Sequence, residues 1–411
     1  MESIRKCDVL IAGAGPAGLA TALFLLHARP GFAGRIVVLE KSAHPRFKVC
    51  AGGLIPKTIL ALEDLGIDLD VPAARVLSGE ARTPAGNVNF PASREPLCTV
   101  VRRDEFDATL ARHARDAGAE IAEHSRVLEV TQTADRVRVA TNQGIFEADI
   151  LVGADGSGSR VRRAVFGESK EAVGRAIMID VPTDPASAPE FAAKRYRFDF
   201  RCVARGIRGY AWSFPCYIGG RPNLNVGIYD QRPREFAESG GEQARMIEEL
   251  IAAFPDLEID RAGLHAGGWR AFPIRWFDGR DRYAKGRTLL AGDAAGVDPL
   301  MGEGISCAFE HGRLAARAIS GFVDGDAGAL DTYDRAMHRG AAARKLSKLA
   351  FAARHFYGPN YRLFFRLAGI SRRAQEIGVD WYNGAHHSDE LPVGRLLMNW
   401  ASAVLFGAPP R

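Results

Sequence analysis

The sequence of 411 residues contains no apolar run of the roughly 18 residues from which a membrane-spanning helix is built. Its first apolar run follows the charged start, Met1 to Lys6, and is interrupted by Gly13, Gly15 and Pro16. These interruptions exclude a signal peptide as well as a membrane span. We therefore expect a cytoplasmic protein.

Cysteine is scarce, and its spacing excludes two further classes of protein. The six cysteines lie far apart, with no CxxC pair and no histidine cluster at zinc-ligand spacing. They are Cys7, Cys50, Cys98, Cys202, Cys216 and Cys307. We expect free thiols in a reducing compartment and no metal site.

A strong charge of either sign is also missing. Lys and Arg number 54 against 49 Asp and Glu, and this thinly spread net charge of +5 gives no reason to expect a nucleic-acid partner. The hydrophobic fraction of 47% and the charged fraction of 25% are typical of folded soluble proteins, which argues against disorder and a coiled coil. The sequence shows no internal repeat, and its length allows two or three structural units.

Glycine, in contrast, is in excess, with 44 residues, and its first cluster follows a short apolar strand at residues 7–12. The pattern Gly13-x-Gly15-x-x-Gly18 opens a helix, and Glu40 ends the next strand, 22 residues after Gly18. This context is the dinucleotide-binding fingerprint, in which the glycines allow a tight turn, a close approach to the pyrophosphate and helix–strand packing. Glu40 would accept from the ribose hydroxyls. The alternative is a glycine-rich turn that binds nothing.

The rest of the chain alternates between two patterns. Strands and one helix follow the opening βαβ unit, and an aromatic region with strand-like alternation extends from about 176 to 275, around a helix near 233–254. A buried strand at 287–291 and a helix near 303–321 come next, and the chain is helical, basic and aromatic from about 331. We expect the aromatic region to form an antiparallel sheet.

Two further segments join the glycine-rich fingerprint to make three sequence motifs. They are ADILVGADGSGSRVRR at 148–163 and GRTLLAGDAAGVDPLMGEG at 286–304. In this order, the three patterns resemble the FAD-binding set of the para-hydroxybenzoate hydroxylase-like flavoprotein superfamily. The resemblance implies that Asp293 binds the flavin ribitol, that Asp155 and Gly156 lie near the pyrophosphate, and that Arg103 contacts the flavin nucleotide. The implied cofactor-binding residues are Gly13, Gly15, Ala17, Gly18, Glu40, Lys41, Arg103, Asp155, Gly292, Asp293, Pro299, Gly302, Gly304 and Ile305.

The segment from Asp298 to Ile305 is a glycine-containing turn that enters a helix. Backbone N–H groups at such a helix start would face the N1/C2 carbonyl edge of the flavin and stabilise its anionic reduced form. The alternative is an ordinary helix entry.

Two other segments narrow the resemblance. KVCAGGL at 48–54 and GYAWSFP at 209–215 are similar to the KxCxGG and GYxWxFP segments of the geranylgeranyl reductase family, with Val49 and Ala51 in place of the family's Pro and Gly. The candidate catalytic residues are Cys50, as a proton donor, Lys48 and Trp212. For each there is an alternative: a packed thiol, a solvated lysine and an ordinary core aromatic.

The resemblance implies an α/β fold: a Rossmann-type FAD-binding domain (residues 1–75, 100–175 and 276–330), an inserted antiparallel β substrate domain (76–99 and 176–275) and a helical C-terminal region (331–411). The basic amphipathic stretch 346–374 would either lie on an anionic membrane surface or, as we favour, pack over the catalytic domain. The apolar segment 396–406 is too short to span a bilayer.

The predicted function is an FAD-dependent oxidoreductase that reduces carbon–carbon double bonds of an isoprenoid-type, apolar or lipid-like substrate by hydride transfer from flavin N5. Its reductant would be NAD(P)H or a reduced electron carrier, including an electron-donor protein. Because only one βαβ fingerprint is present, we expect no separate nicotinamide-binding domain. The alternative is an FAD-dependent monooxygenase (hydroxylase) or halogenase that acts through a flavin C4a-hydroperoxide. A non-catalytic redox sensor or electron-transfer module is disfavoured, because it needs no substrate-sized pocket.

Overall fold

The computed structural model describes residues 4–90, 93, 95–167, 173–231, 242–265 and 267–369, together with residues 375, 379, 382 and 383. The beginning of the helix predicted near 233–254 and the predicted apolar segment 396–406 lie outside the described residues.

The strands, in chain order, are β1 (Ile4–Ala12), β2 (Ile36–Leu39), β3 (Gly53–Leu54), β4 (Ala73–Val76), β5 (Ser78–Thr83), β6 (Gly86–Phe90), β7 (Cys98–Val101), β8 (Glu120–Ala122), β9 (Val127–Gln132), β10 (Val137–Thr141), β11 (Gly144–Gly153), β12 (Val173–Pro182), β13 (Arg195–Asp199), β14 (Gly209–Ile218), β15 (Arg221–Asp230), β16 (Arg270–Arg275), β17 (Ala284–Lys285) and β18 (Thr288–Leu290). The helices are α1 (Pro16–Ala28), α2 (Pro56–Asp64), α3 (Arg103–Asp116), α4 (Arg160–Phe166), α5 (Pro189–Ala192), α6 (Glu242–Ala253), α7 (Arg261–His265), α8 (Ile305–Val323), α9 (Ala329–Arg339), α10 (Ala341–Phe356) and α11 (Tyr361–Gly369).

The first sheet is built around the buried strand β1, which pairs in parallel with β11 on one side and β2 on the other. Its main order is β17-β18-β11-β1-β2-β8, and β9 and β10 extend it as an antiparallel hairpin. Helix α1 packs against α8 so closely that a Cβ on Gly312 would lie 2.8 Å from the Ala20 Cβ. The α/β class and the parallel, Rossmann-type sheet are therefore confirmed.

The second sheet has seven strands in the order β16-β12-β15-β14-β13-β5-β6. Successive side chains alternate between its two faces. One face packs its aliphatic residues against α6, as Val226 and Leu250 illustrate. The other face carries most of the aromatic residues, including Tyr210, Trp212 and Phe214. The sheet thus has an aliphatic side, which is buried against helices, and an aromatic side.

The antiparallel pairing predicted for the aromatic region is confirmed, because β12, β13, β14, β15 and β16 pair with one another in antiparallel fashion. At the edge of the sheet, β5 pairs with β13 in parallel, with Gly79 opposite Tyr196. The sequence did not predict this parallel pair, because β5 and its hairpin partner β6 come from the N-terminal part of the chain and join the sheet beside β13. Pairing between strands so distant in sequence leaves no local pattern.

The two large sheets are joined by a small one and by the C-terminal helices. The small sheet has the order β3-β7-β4. Phe365 of α11 packs on Phe200, which follows β13, with ring centroids 5.5 Å apart. No helix in the described part of the chain is both long and apolar enough to cross a membrane. The division into domains at the predicted boundaries stays a prediction.

Candidate cofactor and substrate site

A cavity of about 950 Å³ lies where the carboxyl ends of β1, β2, β11 and β18 face the aromatic side of the seven-stranded sheet. Ligands of open parallel sheets bind at this edge of the strands. Most of the predicted site residues line this one cavity: Gly13, Gly15, Ala17, Glu40, Lys41, Lys48, Cys50, Arg103, Asp155, Trp212, Gly292, Asp293, Gly302, Gly304 and Ile305. Two predicted residues, Gly18 and Pro299, are not on its wall.

The glycine-rich turn at the start of α1 fits an anionic phosphate. Gly13 has a φ of +108°, and a Cβ there would lie 2.3 Å from the Ala154 carbonyl oxygen. A Cβ on Gly18 would lie 1.9 Å from the Gly13 oxygen, so Gly18 serves the packing of α1 on β1. At Gly15 there is open space, since among the described residues only the Arg46 Nη2 comes within 4 Å of a Cβ position. No described side chain caps α1, which leaves its N-terminal N–H groups for a ligand.

Glu40 is buried at the end of β2, and each of its oxygens already accepts a hydrogen bond. Oε2 accepts from the Ala14 N–H at 3.3 Å and forms an ion pair with the Arg46 Nε at 3.0 Å. Oε1 accepts from the Ser42 N–H at 3.0 Å. A carboxylate oxygen has two lone pairs. The fixed carboxylate can therefore still accept from a ribose hydroxyl, and this role of Glu40 stays a prediction.

The sequence analysis missed two charged residues on this side of the cavity. Arg46 lies on the wall, and Asp107 lies behind it. Arg46 donates to the Ala14 carbonyl oxygen at 3.0 Å and to Asp107 Oδ2 at 3.1 Å. Asp107 is fully buried and also accepts two hydrogen bonds from Arg103. One carboxylate therefore holds two guanidinium groups beside the glycine-rich turn. The Arg103–Asp107 spacing of four on a helix was the available signal.

Asp293 follows β18 and is held in place by its neighbours. Its Oδ2 accepts from the Ser157 hydroxyl at 3.2 Å, while its Oδ1 lies 3.3 Å from where a Gly304 Cβ would be. The preceding Gly292, at φ +61°, donates its N–H to Nδ1 of His311 at 3.1 Å. His311 is fully buried and its Nε2 has no hydrogen-bond partner among the described residues. Burial lowers the pKa of His311 to about 4, so the ring is neutral and accepts from Gly292.

Asp155 lies on the cavity wall, but its carboxylate has a local role. It accepts from the Ser159 hydroxyl and from the backbone N–H groups of Arg160 and Val161, at 2.7 and 3.2 Å. These bonds satisfy the first N–H groups of α4. Asp155 therefore shapes the turn at the cavity edge, and its carboxylate is already occupied by the helix that follows it.

The turn that precedes α8 is held by donors from two other parts of the chain. The carbonyl oxygens of Pro299, Leu300 and Met301 accept, respectively, from Gln231 at 2.6 Å, from Tyr357 at 2.7 Å and from Tyr210. These bonds engage three successive carbonyls, and the following residues, Gly302 to Ile305, line the cavity at the N-terminus of α8. Pro299 thus lies behind the wall with its carbonyl engaged by Gln231, and its role in cofactor binding stays a prediction.

Asp298, at the start of the same turn, is buried and lies under Tyr382, a residue of the C-terminal region. Its carboxylate accepts from the Leu300 N–H at 2.7 Å and from the Tyr382 hydroxyl at 2.9 Å. Burial raises the pKa of Asp298 to about 6. The helix start and the C-terminal region are therefore connected through a carboxyl group.

Lys48 and Cys50 lie side by side on the wall between the parallel sheet and the aromatic face. The Lys48 Nζ is 2.8 Å from the ring centroid of Phe272, and desolvation lowers its pKa to about 8. The Cys50 N–H donates to the Met178 sulfur at 3.2 Å, while the Cys50 sulfur accepts from the Gly52 N–H at 3.4 Å. Both side chains thus have fixed positions.

Trp212 is part of a continuous aromatic wall opposite the glycine-rich turn. Its indole N–H donates to Asn225 Oδ1 at 2.9 Å, and the Asn225 amide donates to Asp180 at 2.9 Å. Further rings surround Trp212 along the cavity: Phe90, Tyr196, Phe198, Phe200, Tyr210, Phe214, Tyr229, Phe272, Phe356 and Phe365. The site therefore combines a polar half that fits a dinucleotide with an apolar half that fits a carbon chain.

Comparison with known proteins supports FAD as the cofactor. The sequence profile of the FAD binding domain family matches residues 6–347. The chain is 31% identical to menaquinone reductase of Mycolicibacterium smegmatis, over 77% of this chain and 76% of that protein. It is 28% identical to 3-hydroxybenzoate 6-hydroxylase of Klebsiella oxytoca, over 77% and 81%. A geranylgeranyl bacteriochlorophyll reductase-like protein of Thermoplasma acidophilum has a similar fold, with a TM-score of 0.75 at 21% identity over 98% of each chain.

Proposed function

Because this chain belongs to the FAD binding domain family, we propose that it is an FAD-dependent reductase that saturates carbon–carbon double bonds of an apolar, isoprenoid-type substrate. The observation that carries this proposal is the aromatic face of the seven-stranded sheet, which forms one side of the same cavity as the glycine-rich turn. A dry, apolar wall suits an alkene, which offers no polar group for recognition.

The residues of the polar half fit FAD and fix its position. The open N-terminus of α1, with Arg46 beside it, fits the pyrophosphate, while Glu40 and Asp293 fit the ribose and the ribitol at opposite ends. When bound and reduced, FAD supplies a hydride. The start of α8 contributes a partial positive charge to the pocket.

The apolar half orients the alkene and excludes water. Reduction adds a hydride to one carbon of the double bond and a proton to the other. Cys50 is the candidate donor of that proton, because Cys50 lies on the cavity wall and its sulfur is held by the Gly52 N–H. A water molecule is the other candidate. Trp212, fixed through Asn225, holds the carbon chain against the wall.

Two relatives support a reductase. One is named a menaquinone reductase, and the similar fold belongs to a geranylgeranyl bacteriochlorophyll reductase-like protein. We propose that the reductant is NAD(P)H or a reduced electron carrier, including an electron-donor protein.

The test is anaerobic. Protein loaded with FAD is photoreduced and mixed with geranylgeraniol in the strict absence of oxygen. We expect the flavin absorbance of the oxidised form to return, and the product to be heavier by two hydrogens in the mass spectrum. Photoreduced protein without the alkene is the control. No reoxidation by any prenyl alkene tried would contradict the proposal.

A monooxygenase or halogenase is the second candidate, and Lys48 is the observation that favours it. An amine with a pKa of about 8 on the wall of a flavin cavity is a suitable hydrogen-bond donor for oxygen chemistry. One relative is named a hydroxylase. Oxygen uptake in step with product formation, with an oxygen or halogen atom in the product, would select this candidate over the reductase.

Helix α11 packs on the aromatic sheet through Phe365, as we favoured from the sequence, but the outer face of the C-terminal helices is exposed. As the partner of this outer face, we propose an anionic membrane surface. Phe351 and Leu363 have 48% and 56% of their surface exposed, and residues 341–369 contain no Asp or Glu. Arg362 and Arg366 are exposed on α11, whose Phe365 lines the cavity. Exposed apolar residues beside arginines bind anionic headgroups. An apolar substrate would then enter directly from lipid.

Sedimentation with phosphatidylglycerol vesicles tests this surface. We expect binding that falls with added salt. We expect the Phe351→Ser/Leu363→Ser double variant to bind the vesicles several-fold more weakly. Leu128→Ser is a matched control, because Leu128 is 48% exposed on β9. Equal loss in the control, or equal binding to phosphatidylcholine vesicles, would contradict the surface.

A further inference from the structure

Three glycines of the seven-stranded sheet each lie beneath an aromatic ring of the cavity wall. Gly79 of β5 is directly opposite Tyr196 of β13 on one side and Phe90 of β6 on the other. A Cβ on Gly79 would lie 2.4 Å from the Tyr196 Cε2 and 3.1 Å from the Phe90 Cδ2. Both rings line the cavity. They occupy the space that a side chain at position 79 would fill.

The other two glycines repeat this arrangement elsewhere on the same face. Gly227 of β15 is opposite Trp212, and a Cβ there would lie 2.2 Å from the Trp212 Cζ2. A Cβ on Gly174 of β12 would lie 2.6 Å from the Tyr229 Cε2. Trp212 and Tyr229 also line the cavity.

Glycine inside a strand is costly, because it adds backbone entropy to the unfolded chain and gives the strand no side chain to pack. All three of these glycines are buried, and none has a positive φ that would require glycine for its backbone. The space that the aromatic rings occupy therefore explains why these three positions are glycine.

We propose that Gly79, Gly174 and Gly227 are specificity-determining residues, which set the width of the apolar half of the cavity by letting Tyr196, Tyr229 and Trp212 lie against the sheet. A methyl group at any of the three would lift the ring above it. The sheet backbone blocks movement away from the cavity, so the ring moves into it. The glycines thus fix how bulky a ligand the wall admits. The inference rests on the proposed function only in taking the ligand to be apolar.

Gly79 is the best position for a test, because the three atoms nearest to its Cβ position belong to the rings of Tyr196 and Phe90. At Gly227, in contrast, the Ile177 carbonyl oxygen also lies 2.6 Å from the Cβ position, so a substitution there would disturb the sheet itself. The variants are Gly79→Ala, Tyr196→Leu and the double variant Gly79→Ala/Tyr196→Leu. Gly31→Ala is the control, because a Cβ on Gly31 meets no described atom within 4 Å.

The readout is the binding of two non-substrate probes to FAD-loaded protein. The wide probe is 1-aminoanthracene, a rigid three-ring molecule measured by its fluorescence, and the narrow probe is decanol, measured by competition. We expect Gly79→Ala to weaken the binding of the wide probe about tenfold and the binding of decanol much less. The double variant should regain the affinity of the native protein, because a leucine side chain is smaller than the tyrosine ring it replaces and leaves room for the new methyl group.

Unchanged affinity of Gly79→Ala for the wide probe would overturn the inference. So would an equal loss for both probes, or a loss that the double variant does not recover, because each points to a general disturbance of the sheet. If Gly79→Ala does not fold, the double variant decides: native-like folding and binding support the inference, and failure overturns it. Neither probe is reduced, so a failure to reduce prenyl alkenes counts against the proposed function alone.

Discussion

The guanidinium of Arg103 donates two hydrogen bonds to the carboxylate of Asp107, with N···O distances of 2.8 and 2.9 Å. Both side chains are buried, and Arg46 donates to the same carboxylate. Arg103 and Arg46 line the cavity whereas Asp107 does not, so this one acid anchors two guanidinium groups of the polar half from behind the wall.

Asp107→Ala should destabilise the protein by about 3–5 kcal/mol, because it leaves the buried Arg103 without its partner. FAD affinity should also fall, since Arg46 loses one of its anchors. Urea unfolding and flavin titration measure the two effects. Asp116→Ala is the matched control, because Asp116 is exposed on the same helix, and an equal effect there would contradict a special role for Asp107.

The purified protein should contain FAD and no FMN, because Glu40 is placed for a ribose that FMN lacks. Glu40→Ala should weaken FAD binding by about 1.5–3 kcal/mol, the value of a hydrogen bond to a charged group. Mass spectrometry of the released flavin and equilibrium titration are the measurements. Finding FMN would refute the assignment of Glu40.

Cys50→Ser should bind FAD and undergo photoreduction as the native protein does, yet lose alkene turnover, if the thiol donates the proton. A packing role predicts the opposite, with a lower melting temperature and an unchanged oxidative half-reaction. Cys98→Ser is a useful comparison, because Cys98 lines the same cavity but is buried. Equal turnover of Cys50→Ser and native protein would remove Cys50 from the mechanism.

Stability should fall in acid through His311. Its pKa is about 4 in the folded protein, below the usual 6.5, so the unfolded chain binds more protons between these values. The stabilisation is therefore complete above pH 6.5 and is lost as the pH falls toward 4, by about 3 kcal/mol. Urea midpoints across this range should be less pH-dependent in His311→Gln. An unchanged pH profile in that variant would contradict the assignment.

Lys48 should have an effect of the same sign on the alkaline side. Its folded pKa of about 8 lies below the usual 10.5, so the folded state releases its proton first and stability rises between these pH values. Lys48→Met should be more stable than the native protein at neutral pH and lack this rise. Urea unfolding at neutral and alkaline pH tests both expectations, and an identical slope in the two proteins would exclude Lys48 as its source.

The parts of the site that were predictable are those that local sequence controls. The turn at Gly13, Gly15 and Gly18 and the acid at Glu40 follow from one βαβ unit. The structure brings Gly13, Gly15 and Glu40 to one cavity, while Gly18 serves the packing of α1 on β1. Arg46 was not predicted, because its contacts with Ala14 and Asp107 join segments that no pattern links. The parallel pairing of β5 with β13 was missed for the same reason.

His311 illustrates a second limit of prediction from the sequence. In the sequence it is one polar residue on the amphipathic helix α8, and only the fold shows that its Nδ1 accepts from Gly292. The ring contacts of the wall are a third case, since period-two aromatics predict a shared face but do not show which glycines lie beneath them.

The turn at 299–301 has a consequence for local unfolding. Its three carbonyls accept from Gln231, which follows β15, from Tyr210 of β14 and from Tyr357, at the end of α10. The turn cannot open without releasing donors in both the aromatic sheet and the C-terminal helices, so these elements open together. A ligand that binds at the start of α8 must then slow amide hydrogen exchange in α10 as well, by raising the free energy of that shared opening.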